Sequence, residues 1–187
     1  PEQFGGVWVE YYYQDESGEW QVESVGSGPQ TYQFATSIAV DPNGVPHIAY
    51  FEQSKNDLVI ATRDGGDWTK EIVDAKGDAG LFSSLIIGDD GRYHVSYLMK
   101  AATFGAVKYA TRGLDGSEWA VTEIDRLDDL AYGFVGARNV TSLALDTQGR
   151  PWIAYSDEKH LKLAVWDGSE WGMTTVVNAD DKTMGQL

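Results

Sequence analysis

Ser37-IAVDPNGVPHIA-Tyr50, Ser84-LIIGDDGRYHVS-Tyr97 and Ser142-LALDTQGRPWIA-Tyr155 align without a gap. In each, a glycine follows the serine by seven residues and the tyrosine follows the glycine by six. A short apolar run that stops at D-P-N-G, D-D-G or D-T-Q-G and then alternates out to a tyrosine predicts a β-hairpin. Gly44, Gly91 and Gly149 are expected to supply a positive φ in that turn.

A second hairpin follows each first one. Leu58-VIATRDGGD-Trp68 recurs as Val107-KYATRGLDGSE-Trp119 and Leu161-KLAVWDGSE-Trp171, and each tryptophan leads into a β-rich strand. With strands named A to D, each unit reads A-B-C-D. The tryptophans at 20, 68, 119 and 171 are spaced by 48, 51 and 52 residues. Four strands in a period near fifty is the size of one β-propeller blade. The predicted class is all-β, a propeller of four-stranded antiparallel blades with about 3.5 blades present. Residues 1-25 form a half blade of strands C and D. Residues 37-74, 84-125 and 142-177 form full blades, and 178-187 leads toward a next one. Because propellers close with about 4 to 8 blades, the expectation is a larger ring of about seven. Its remaining blades would come from the same longer chain or an associated chain.

Composition narrows the partners. The 187 residues carry 14 Lys and Arg against 29 Asp and Glu, a net charge of −15. Such a surface repels phosphate backbones, which argues against nucleic acid. No apolar run reaches the roughly 18 residues of a membrane span. There is no cysteine, so disulfides, thiolate metal sites and cysteine nucleophiles are excluded. No H-E-x-x-H, H-x-H, EF-hand loop, P-loop, G-x-S-x-G or post-strand G-x-G-x-x-G occurs. No metal and no cofactor is expected; a structural calcium has no indicating motif. Asn139-Val140-Thr141 is a glycosylation sequon.

At D-G-G-D-Trp68, D-G-S-E-Trp119 and D-G-S-E-Trp171 the chain resembles the Asp-box repeats of bacterial neuraminidases, with Asp15, Asp64, Asp115 and Asp167 in the aspartate position. The aspartate precedes the tryptophan by four residues in three turns and by five only at Asp15. The phrase around Ser142 is similar to blades of secreted sialidase-like, lectin-like and polysaccharide-lyase propellers. The resemblance implies the fold, with the aspartates bracing the C–D turns at the outer edge. It also suggests a place outside the cell, extracellular or periplasmic.

The repeats act as an internal control, because a residue type that recurs at one blade position belongs to the blade. By that criterion His47 and His94 are packing residues, with Trp152 as their counterpart. Arg63, Arg112, Arg92 and Arg150 are scaffold or solvated surface. Departures from the pattern mark candidates. His160 precedes strand C where other blades carry Asp57 and Ala106. Arg126, Tyr132, Phe134 and Arg138 lie in the long connection from Asp125 to Thr141, and long connections tend to carry function. The D–A and B–C connections of a propeller meet on one face, so Tyr32, Lys100, Tyr132, Arg138, Asp157, Lys159 and His160 form the candidate ligand surface. Aromatic faces there would stack on sugar rings, while Arg, Lys and Asp would bind hydroxyls or a uronate carboxylate. The three-arginine cluster of sialidase chemistry is not visible. A lyase would need a Tyr or His base beside a cation, types that Tyr132, His160 and Arg138 supply. The expected function is a non-catalytic propeller recognising glycan or protein. The alternative is a segment of a carbohydrate-active enzyme, a polysaccharide lyase or glycoside hydrolase.

Overall fold

A computed structural model describes residues 8–27, 36–113, 115–127, 140–157 and 160–178. Strands β1 (Trp8–Gln14) and β2 (Trp20–Ser27) form a two-stranded sheet. Strands β3 (Ser37–Val40), β4 (Pro46–Glu52), β5 (Asp57–Asp64) and β6 (Asp67–Asp74) form the first four-stranded sheet. Strands β7 (Asp78–Ile87), β8 (Tyr93–Lys100), β9 (Gly105–Arg112) and β10 (Ala120–Leu127) form the second. Strands β11 (Thr141–Leu145), β12 (Pro151–Ser156), β13 (His160–Trp166) and β14 (Trp171–Asn178) form the third. All pairs are antiparallel and each sheet follows chain order. These are one half blade and three full blades of an all-β partial propeller.

The A–B turns close as their sequences require. Gly44, Gly91 and Gly149 stand at φ of 83°, 76° and 73°. Asp41 accepts backbone N–H bonds from Asn43 at 2.9 Å and Val45 at 2.8 Å. Asp146 accepts the same pair from Gln148 and Arg150. A carboxylate that satisfies turn amides fixes the turn it belongs to. The C–D turns use the same device at three of four sites. Asp15 accepts from Ser17 and Glu19, Asp115 from Ser117, and Asp167 from Ser169 and Glu170. At Asp64 the turn is a two-residue one through Gly65 and Gly66, both at positive φ.

Each blade boundary buries its own apolar cluster. Val9 and Val25 meet Ile48, Tyr50, Val59 and Ala61 at the first. Leu58, Ile60 and Val73 meet Leu85, Val95 and Tyr97 at the second, and Leu98, Val107 and Ile124 meet Leu143, Ile153 and Tyr155 at the third. Burying one such side chain is worth about 1.5–3 kcal/mol, so face-to-face stacking is the main stabilisation. The repeated serines link neighbouring A strands. Ser37 Oγ accepts from Leu85 N–H at 2.9 Å, and Ser84 Oγ accepts from Leu143 N–H at 3.2 Å.

The C strands take in Asp57, Ala106 and His160, which the sequence reading places just before them, and the second A strand departs furthest from its expected bounds. The second A strand begins at Asp78 rather than Ser84, and two register shifts let it bend along β8. The second shift takes in Phe82 at φ 52°, and the first falls at Gly80, φ 102°, where a Cβ would stand 2.9 Å from Leu58 Cα. Only glycine allows the chain to pass there in that conformation.

Candidate functional site

The candidate surface read from the sequence is described in part. Tyr32, Tyr132, Arg138 and Lys159 lie outside the described residues, as does Phe134. Lys100 ends β8, opposite Asp78 in register. Asp157 and His160 stand together: the Asp157 carboxylate accepts from His160 N–H at 2.7 Å and faces the ring Nδ1 at 3.0 Å. Lys162, not singled out by the sequence, joins them at 3.2 Å from Asp157 and 2.8 Å from Asp125. Burial works to lower the Lys162 pKa, but the two carboxylates outweigh it and raise it. Lys162 therefore stays a cation and neutralises the acids beside it, so it cannot serve as a base.

Lys162 belongs to a recurring arrangement. At the second boundary Tyr97 Oη donates to Asp74 at 2.7 Å and Lys108 Nζ donates to the same oxygen at 2.6 Å. At the third boundary Tyr155 and Lys162 meet Asp125 in the same way. Burial, with the carboxylate behind it, raises the pKa of both tyrosines. These triads join strand D of one blade to strands B and C of the next.

A different cluster occupies the blade boundaries near the C–D turns. At the first boundary Arg63 Nε and Nη2 donate to Glu23 of the half blade at 2.9 and 2.8 Å. Trp68 Nε1 donates to the same Glu23 oxygen as Arg63 Nε, at 2.9 Å. The guanidinium lies over the Tyr13 ring at 4.9 Å, and Tyr11 meets Trp68 edge-on at 5.3 Å. The pair is only part-buried, with side-chain exposures of 27% and 23%, so its edges reach solvent. Hydrogen bonding from Arg63 above all lowers the Glu23 pKa to about 2, despite some desolvation.

The second boundary repeats the clamp with a change of geometry. Arg112 meets Glu71 end-on, Nη1 at 2.7 Å and Nη2 at 2.6 Å. Its guanidinium lies 4.9 Å over Trp119 and 5.3 Å over Tyr93. Arg112 Nε and Trp119 Nε1 are buried without a hydrogen-bond partner. Their counterparts at the first boundary share one oxygen of Glu23. An open groove of about 840 Å³ runs along the same boundary from Trp119 past Lys108 to Gly77.

Glu23 and Glu71 carry no mark in the sequence reading, and Arg63 and Arg112, which hold them, are taken there for scaffold or solvated surface. A signal was present: a glutamate stands three residues after Trp20 and again after Trp68. No group of three or more metal-ligating side chains occurs among the described residues. Those residues also contain no helix long and apolar enough to cross a membrane.

No protein-family model and no curated protein matches the chain in sequence. Solved structures do match in shape. A mutant of Aleuria aurantia lectin in complex with Fucα1-6GlcNAc aligns with a TM-score of 0.63 at 18% identity. It covers 94% of this chain, which spans 54% of that lectin. A fucose lectin from Kordia zhangzhouensis in complex with methyl-fucoside aligns with a TM-score of 0.50 at 17% identity. It covers 77% of this chain and 99% of its own. The chain has the propeller fold. Fructan 1-exohydrolase IIa from Cichorium intybus aligns at a TM-score of 0.47 and 13% identity, too distant to bear on chemistry. At these identities the likeness is one of fold, and site chemistry must come from the residues themselves.

Proposed function

We propose that this partial propeller binds carbohydrate outside the cell, at the crevices between its blades. The observation that carries the reading is the pair of buried donors Arg112 Nε and Trp119 Nε1 that have no hydrogen-bond partner. A buried donor left unpaired costs about 1–3 kcal/mol, and hydroxyl oxygens of a ligand seated in the crevice would offset that cost once the side chains turn to meet them. Sugars suit the clamp because each hydroxyl both donates and accepts. The guanidinium supplies donors, the carboxylate supplies acceptors, and the aromatic faces beside them suit the C–H side of a pyranose. Two lectins with fucosyl ligands share the fold, which supports fucosides as the first probes. The aspartate turns, which resemble Asp-boxes, belong to the same reading: Asp115 and Asp167 hold the hairpins that carry Trp119 and Trp171.

The enzyme alternative would draw on the acids beside His160. Asp125 and Asp157 are both bound to Lys162. The surface around Asp157, His160 and Lys100 is proposed only as a secondary contact for glycan or protein. Calorimetric titration with methyl fucoside tests the main reading. Two sites per chain are expected, Arg63→Ala and Arg112→Ala each removing one. Unchanged binding in the double variant refutes it.

A further inference from the structure

The third boundary lacks the clamp. Thr122 replaces the glutamate of Glu23 and Glu71, and Trp166 replaces the arginine of Arg63 and Arg112. Both charges of the pair are gone together. A cavity of about 340 Å³ lies there between the second and third blades. Trp166 and Trp171 line it with centroids 5.7 Å apart, and Tyr109 meets Trp171 edge-on at 5.2 Å. Its polar lining includes Arg92, Arg150, His94 and two threonines, and it includes no carboxylate.

The two arginines differ in how far they are neutralised. Arg150 is bound to Asp146 through Nε and Nη2, each at 2.7 Å. Arg92 stands 3.8 Å from Asp90, beyond hydrogen-bond distance, and its side chain is half exposed. Burial lowers the pKa of His94 to about 4, so at neutral pH its ring carries no charge. Arg92 is therefore a half-exposed cation on the rim of an aromatic pocket, acted on by Asp90 and Asp115 but held in hydrogen-bond contact by neither.

The geometry points to a second sugar specificity: the third crevice takes a monosaccharide bearing a carboxylate, a uronic acid. This rests on the carbohydrate-binding reading of the other two crevices. There, Glu23 and Glu71 face the ligand and repel an anion. Here no acid faces the ligand, the tryptophans cover the apolar face of the pyranose, and Arg92 receives the carboxylate. A small pocket with a few polar groups on an apolar lining is the ordinary form of a small-ligand site.

D-Glucuronate and D-glucose differ only at C6 and make the matched probes. Titration of the intact chain, read by tryptophan fluorescence and calorimetry, is expected to show glucuronate binding at least tenfold tighter than glucose. Arg92→Gln should remove that preference. Trp166→Ala should abolish glucuronate binding while methyl fucoside binding at the clamps is retained. Circular dichroism and a thermal melt establish that each variant is folded. Equal affinity for glucuronate and glucose, or glucuronate preference unchanged in Arg92→Gln, overturns the inference alone, provided methyl fucoside still binds. Failure of every sugar to bind overturns the carbohydrate reading and this inference with it.

Discussion

Tyr50 and Tyr97 hold the same place in consecutive blades, and both are fully buried. Tyr97 gives its hydroxyl to Asp74, beside Lys108. Tyr50 has no partner for its hydroxyl. The residues that would complete its triad are Gly26 in strand D and Val59 in strand C. Gly26 is also sterically required, since a Cβ there would stand 2.5 Å from Tyr50 Oη. At this tyrosine, one boundary is thus joined by a buried ion pair and the other by apolar packing around an unsatisfied hydroxyl. A blade can be attached in either way, and the tyrosine ring is the common part.

The comparison breaks most severely at Asp74. Asp74→Ala strands the Lys108 ammonium, which is 6% exposed, and should cost about 3–5 kcal/mol in denaturant unfolding. Replacing all three members with apolar residues, as Asp74→Leu, Lys108→Met and Tyr97→Phe, should cost less than that single change. It removes the desolvated charges together and makes the boundary more like the first. If the triple variant is the less stable, the ion pair contributes net stability.

The tyrosines sharpen the contrast at a smaller scale. Tyr97→Phe removes a hydrogen bond to a charged acceptor and should cost about 1.5–3 kcal/mol. Tyr50→Phe removes only an unsatisfied hydroxyl and should be neutral or stabilising. Equal costs would show that Tyr50 finds a partner in solution. Ser84→Ala, which leaves the Leu143 amide unpaired, should cost about 1 kcal/mol in the same measurement.

The smallest effect is one of pH. Glu23 titrates at about 2 in the folded chain, below its ordinary value of 4.5. The unfolded chain binds the proton more readily. The stability contributed by the Glu23–Arg63 pair is therefore full above about pH 4.5 and is lost as pH falls through 2. The pair is partly solvated, so the loss should stay below about 1 kcal/mol. Unfolding of Glu23→Gln should show a correspondingly shallower decline over that range.

The scaffold was legible because it is repeated. Serine, glycine and tyrosine at fixed offsets marked each A–B hairpin, and tryptophan marked each C–D turn. The early start of β7 was not legible. It sets Gly80 against Leu58 of the preceding blade, a contact between residues 22 apart in sequence that no local pattern encodes. The candidate site was legible only in part, for a different reason. Taking recurrence as the mark of scaffold works when a site occurs once. A site built at two successive blade boundaries recurs as the blade does, so Arg63 and Arg112 read as framework. What separates them from framework is their glutamate partner on the neighbouring blade, a pairing across 40 residues for one and 41 for the other. Departure from the repeat instead marks His160, whose neighbouring carboxylates Asp157 and Asp125 are bound by Lys162.

The most direct test of sugar binding at the blade boundaries is a crystal structure of the chain soaked with methyl fucoside. The account predicts a pyranose beside Arg63 and Trp68 and another within hydrogen-bond reach of Arg112 Nε and Trp119 Nε1. Sugar found only at the end of the molecule where Asp157 and His160 stand, with both clamps unchanged, would contradict it.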